Sequence, residues 1–175
     1  MKRIIVKNGL ISGAILAAML FGTVPMQDMV GFDIGAVIGF TTMVIAGLMI
    51  YFGVRSYRDG IGGGVVSFGR AFRIGITIVA ISTTCYVAAW QVVYYKFMPD
   101  FGDKYAAHMI AKAEADSLPP AELEAKRAEM EKFKEAYKNP LVNIGFTFLE
   151  PLPVGLLMTL IAAGLLRREA TRSDA

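Results

Sequence analysis

The sequence predicts an all-α integral membrane protein, a bundle of four membrane-crossing helices with an extracytoplasmic helical hairpin between the third and fourth spans. Three observations carry this: four apolar stretches of crossing length, basic residues gathered on alternate connections, and one abrupt polar block. Composition agrees, since 55% of the 175 residues are hydrophobic and 19% charged, against roughly 45–50% and about 25% in a soluble domain. The chain reads as a single membrane domain over residues 1–175.

The spans fall at residues 4–24, 34–54, 74–95 and 141–166. Each is at least about 20 residues long, which at about 1.5 Å per residue crosses a hydrocarbon layer roughly 30 Å thick. The second carries no charge; the first holds Lys7 near its start, where its ammonium can snorkel to the interface. Met1-Lys2-Arg3 before an apolar run also resembles a signal peptide. Lys7 and Asn8 interrupt that run and no clear A-x-A site precedes Pro25, so a retained span is expected.

Charge sorts the connections. Lys2, Arg3 and Lys7 lie at the start, Arg55, Arg58, Arg70 and Arg73 in the second connection, and Arg167, Arg168 and Arg172 after the fourth span. The first connection, Pro25 to Asp33, has Asp28 and Asp33 and no Lys or Arg. The positive-inside rule therefore puts both termini and the second connection in the cytoplasm. The net charge of +3 follows from this topology and gives no reason to expect nucleic acid.

Residues 96–140 hold eight basic and nine acidic residues. Pro99-Asp100 offers a break and an N-cap; Phe101, Tyr105, Met109 and Ala113 follow at helical spacing, and Ser117-Leu118-Pro119-Pro120 reads as the turn. Leu123, Met130, Phe133 and Tyr137 give the second helix an apolar stripe, while Glu122 with Lys126, and the like-charged Glu131 with Glu135 and Lys134 with Lys138, mark a solvated face. Asn139-Pro140 then caps the last span, nearly continuous with the hairpin.

Single Cys85 and His108 exclude a disulfide framework, a Cys/His zinc site and a cysteine–histidine catalytic pair. Cys85 reads as a packing residue and His108 as a surface one. No catalytic, metal-binding or cofactor-binding residue is assigned. A lipid-modifying enzyme would need a nucleophile with its base, or a metal cluster, and neither grouping is visible.

The sharpest feature is Glu150 with Pro151 and Pro153 inside the fourth span. Each proline lacks an N–H and disfavours helical geometry in the preceding residue, so a kink or break is expected. A mid-membrane ionisable group costs about 2.5–3.5 kcal/mol on insertion scales and therefore seeks a partner in the bundle. Such a carboxylate serves either as a proton or ion site or as a hydrogen-bonded pin. The third span offers Tyr86, Trp90 and Tyr94 at intervals of four, with Gln91 beside them. That face lines a cavity with Glu150 or forms an interfacial aromatic belt.

Gly9 with Gly13, and Gly35 with Gly39, have the G-x-x-x-G spacing of closely packed helices. A homo-oligomer is allowed by it. Arg55, Arg58, Arg70 and Arg73, with Phe68 and Phe72 around Gly62-Gly63-Gly64, suit contact with anionic lipid headgroups. A phosphate-binding loop would need a Lys and Ser/Thr that the stretch lacks.

Several strings together resemble one family, the bacterial membrane proteins called domain of unknown function 4199. They are Phe52-Gly53-Val54-Arg55-Ser56-Tyr57-Arg58-Asp59, Gly63-Gly64 with Ser67-Phe68-Gly69-Arg70-Ala71-Phe72, Pro99-Asp100-Phe101 with Lys104-Tyr105, Glu131-Lys132-Phe133-Lys134, Tyr137-Lys138-Asn139-Pro140-Leu141, and Thr147-Phe148-Leu149-Glu150-Pro151-Leu152-Pro153-Val154-Gly155. The resemblance covers essentially the whole chain and implies a multi-pass protein of the bacterial inner membrane. It implies no activity, substrate or cofactor.

The expectation is a non-enzymatic membrane protein whose partners are the bilayer and, through the hairpin, a second copy or another membrane protein. The alternative is a small proton- or ion-coupled transporter or channel using Glu150.

Overall fold

The structure, a computed structural model, describes residues 1–23 and 26–168. It is all-α, with seven helical segments: α1 Lys2–Thr23, α2 Gln27–Gly60, α3 Phe68–Lys96, α4 Phe101–Ala115, α5 Pro120–Tyr137, α6 Pro140–Leu149 and α7 Leu152–Leu166. Four stretches are long and apolar enough to cross a membrane, namely α1, Met29–Gly60 of α2, α3, and Pro140–Leu166, which joins α6 to α7. Arg172 of the expected basic tail lies outside the described residues.

Two connections are shorter than expected because the helices continue past the apolar stretches. The helix α2 begins at Gln27, so Phe32 and Asp33 lie on a helix and not in a loop. Gly31, at φ 69° and ψ 173°, bends its first turn, a left-handed conformation that glycine adopts without a Cβ clash. At its other end α2 continues to Gly60, carrying Arg55 and Arg58 beyond the apolar run. Gly63 and Gly64, at φ 62° and 84°, turn the chain. Ser67 O then accepts from Arg70 N and Ala71 N to open α3, which places Arg70 and Arg73 on that helix.

Around the bundle the order is α1, α2, α7, α3, with α2 and α3 also touching across the centre. The α1–α3 seam is close because Gly9 and Gly13 admit Ile81 and Cys85, and a Cβ on Gly13 would lie 2.5 Å from Cys85 Cβ. The second glycine pair departs from its expected role: a Cβ on Gly35 or Gly39 would meet nothing within 4 Å. The spacing was right for a seam, but no helix packs on that face.

Met1 and Ile5 share a cavity wall with Arg70 and Arg73, and Val66 pairs with Arg168 through two backbone hydrogen bonds of 3.0 and 2.9 Å. Both ends of the described chain and the α2–α3 turn therefore meet at one end of the bundle. An aliphatic core of Ile50, Val54, Ile74, Ile78 and Ala163 fills that end. An aromatic core of Tyr86, Trp90, Tyr94 and Tyr137 fills the other, where the hairpin sits.

The hairpin α4–α5 turns at Ser117, φ 54°, and Pro120 starts its second helix as expected. Asp100 makes no capping bond; its carboxylate instead lies 3.1 Å from Lys104 Nζ, one turn on. Lys126 pairs with Glu129 and not with Glu122. The like-charged pairs are relieved by opposite charges, Lys134 meeting Asp103 and Glu131, and Lys138 meeting Glu135. Arg127 with Glu114 ties the two helices together.

The hairpin packs back on the bundle. Phe101 meets Trp90 edge-on at 4.8 Å between centroids, and Phe32 of α2 meets Phe101, Tyr105 and His108 at 5.8, 5.7 and 5.2 Å. Asp33 reaches Lys112 at 2.9 Å and His108 at 3.5 Å. His108 is thus wedged between a ring and a carboxylate, where a free surface histidine was expected.

Asn139 caps the fourth span as its sequence predicts, its side chain accepting from Leu141 N at 3.0 Å. The prolines then remove the N–H groups that would bond the carbonyls of Thr147 and Leu149. Glu150 and Pro151 nevertheless keep near-helical angles, φ −59°, ψ −52° and φ −82°, ψ −10°. The ladder is interrupted without an unwound segment. From the break, α7 packs on α2 and α3, whereas α6 packs on α3 and α5.

Candidate functional site

Glu150 projects from the interruption between α6 and α7. By rise alone it lies about 15 Å from the hairpin end of its span and about 24 Å from the other. Tyr86, one face of α3 away, donates its hydroxyl to Glu150 Oε2 at 2.9 Å. Among the described residues no lysine, arginine or histidine forms an ion pair with this carboxylate.

Glu150 lines a cavity of about 220 Å³. Its floor is Tyr86 and Trp90 of α3, its roof Phe101 and Tyr105 of α4 with Tyr137 of α5, and its side walls Leu20 of α1 and Phe32, Gly35 and Gly39 of α2. The glycines that pack against nothing are the ones that open this space. Glu150 is exposed and lines this cavity.

The third-span aromatics differ in exposure. Tyr86, Trp90 and Tyr94 are buried, while Tyr95 is exposed. Trp90 Nε1–H donates to Tyr137 Oη at 3.0 Å, fixing the hairpin to α3. Tyr94 stacks on Trp90 and meets Tyr137 edge-on. Gln91 points elsewhere, its Nε2 donating to Asn143 Oδ1 at 2.8 Å. Of the sequence-predicted residues the cavity thus gathers Glu150, Tyr86 and Trp90; Tyr94 stands behind it, Gln91 faces α6, and Pro153 is exposed. Pro151 lines a separate space of about 20 Å³ beside Ser12, Ser82 and Thr83, room for about one water.

Sequence reasoning missed Phe32, Phe101, Tyr105 and Tyr137 as wall residues. Three of them belonged to the apolar hairpin pattern, but periodicity gives the face and not what it lands on.

Burial pushes the Tyr137 phenol up to about 12. A folded-state value above the ordinary tyrosine value of about 10 means stability is fully present below pH about 10 and falls as pH rises through about 12, by on the order of 2 kcal/mol. Thermal unfolding of Tyr137→Phe should lack this decline. Parallel curves for the two proteins would refute it.

The arginines separate into two pairs. Arg58 donates to Asp59 at 2.7 Å and Arg55 lies 3.5 Å from it. Arg70 donates to Tyr57 Oη at 2.9 Å and, with Arg73 and Arg168, borders a cleft of about 580 Å³. Asp59 is a partner that the headgroup reading had not assigned to Arg55 and Arg58. Among the described residues no group of three His, Cys, Asp or Glu side chains is placed to hold a metal ion.

Four helical stretches long and apolar enough to cross a membrane, with a hairpin that roofs a cavity, suggest an integral α-helical membrane protein. The chain belongs to the family described as "Protein of unknown function (DUF4199)", whose model matches residues 7–168. No curated protein and no solved structure matches it.

Proposed function

We propose that this protein is a non-enzymatic, multi-pass carrier of the bacterial cytoplasmic membrane, binding a small solute in the roofed cavity in a manner coupled to protonation of Glu150. The observation that supports this is the placement of a carboxylate without a protein counter-charge on an accessible cavity at an interrupted span. Burying an ionised group in a membrane is unfavourable, so such a group is stable when it takes up a proton or meets a cation. The basic side chains at the end shared by both tails orient that end to the cytoplasm, with the hairpin outside.

An interaction arm has less support. Phe133 and Tyr137 turn to α4 and to the bundle, Met130 is buried, and the outward face of α5 is a lattice of short-range ion pairs. Exposed pairs of that kind contribute little and bind no partner by themselves.

Dicyclohexylcarbodiimide, which attacks protonated carboxyl groups within membranes, tests the reading without a known solute. Labelling of membranes at acid, neutral and alkaline pH should modify Glu150, more at acid pH, and Glu150→Gln should abolish that adduct. Absence of the adduct at every pH would end the carrier reading.

A further inference from the structure

We propose that the solute is a small organic cation, held against aromatic rings with its charge facing Glu150; this rests on the carrier reading above. The walls decide the class by what they offer. Phe32, Phe101 and Tyr105 supply ring surface in front of the buried Tyr86, Trp90 and Tyr137, and Glu150 supplies the charge among the lining residues.

An anion is repelled by that carboxylate. A hard metal ion asks for six or more oxygens, and one carboxylate beside three phenols does not provide them. A sugar or other polyhydroxylated solute needs several free donors, yet the Tyr86 hydroxyl is donated to Glu150 and the Trp90 N–H to Tyr137, which leaves mainly the Tyr105 hydroxyl. Trp90 is already covered by the stacked Tyr94 and the edge-on Phe101, so the rings left for a ligand are the half-buried Phe32, Phe101 and Tyr105. Ring faces attract cations through their quadrupole, best for Trp and Tyr, and more strongly when the site is desolvated. An ammonium whose carbons cover its charge matches both the apolar walls and the carboxylate.

Size narrows the class. The space of about 220 Å³ lies below the roughly 300–1,000 Å³ of drug-sized pockets, so a single-headed alkylammonium fits and a multi-ring cation does not. Proton and ligand then answer the same carboxylate, and binding of the cation displaces the proton.

Trp90 is the chain's single tryptophan, so its fluorescence reports on this cavity. The full chain in detergent is titrated with choline and, in parallel, with dimethylbutanol, its uncharged isostere. Choline should give a saturable change, at least about tenfold tighter than the alcohol, weakening at acid pH. Glu150→Gln should weaken choline by about tenfold and remove the pH dependence. Gly39→Leu, at a position where an added Cβ meets nothing within 4 Å, fills the cavity without disturbing the carboxylate and should abolish the change. Equal binding of the two probes, indifference to Glu150→Gln, or no response to either probe would each overturn the cation proposal. In all three cases carbodiimide labelling of Glu150 decides separately whether the carrier reading stands.

Discussion

Gly13→Leu is expected to lower the stability of the protein in detergent by about 3 kcal/mol or more, at the upper end of what over-packing costs. The first added carbon would already lie 2.5 Å from Cys85 Cβ and 2.9 Å from its sulfur, with the Ser82 Cα at 3.5 Å behind them. None of these is the far end of a flexible side chain, so α1 and α3 must move apart. The α1–α3 contact is the most extensive in the bundle, and lipid cannot substitute for it, because association in a bilayer rests on close packing and not on escape from water. Gly39→Leu is the matched control. It also places leucine at the second glycine of a G-x-x-x-G pair, yet meets open space, and replacing a mid-helix glycine gains up to about 1 kcal/mol of helix propensity. Unfolding midpoints of the two variants should therefore move in opposite directions or, at least, far apart. Equal losses would show that α1 and α3 do not meet at Gly13.

The same pair shows what the sequence does and does not reveal. Spacing identified both glycine pairs, and apolar length identified all four spans, because each is a property of a continuous stretch. Which pair forms a seam depends on how helices rotate against one another, and no local pattern carries that. The ends of α2 were hidden for a related reason: Asp33, Arg55 and Arg58 look like loop residues only if helix and apolar run are taken to end together. At the site, Glu150 was visible through its prolines, and Tyr86 through the four-residue spacing on α3. Tyr137 was visible as part of a stripe but not as a partner of Trp90, since that bond spans 47 residues and exists only because the hairpin folds back. The cavity is the product of that return, so its roof could not be read from any one segment.

Gln91→Leu is expected to destabilise the protein by about 1–3 kcal/mol, and addition of Asn143→Leu to recover most of the loss. Asn143 is 0% exposed. Its Oδ1 accepts from Gln91, while its Nδ2 has no partner among the described residues. Removing Gln91 leaves the whole amide buried and unpaired, and the penalty is that of desolvation and not merely one lost bond. Leucine at 143 is close in size and asks for nothing, so the double variant exchanges a polar contact for an apolar one at little cost. Asn143→Leu alone leaves only Gln91 unpaired; Gln91 is half-buried, so this variant should be milder than Gln91→Leu. The double-mutant cycle in detergent reads this order directly, and a Gln91→Leu protein as stable as the wild type would overturn it. The pair matters to the site because it fixes α6 to α3 beyond the interrupted ladder at Glu150. With α6 held by α3 and α5, Gln91 and Asn143 help to fix the position of the segment that leads into Glu150.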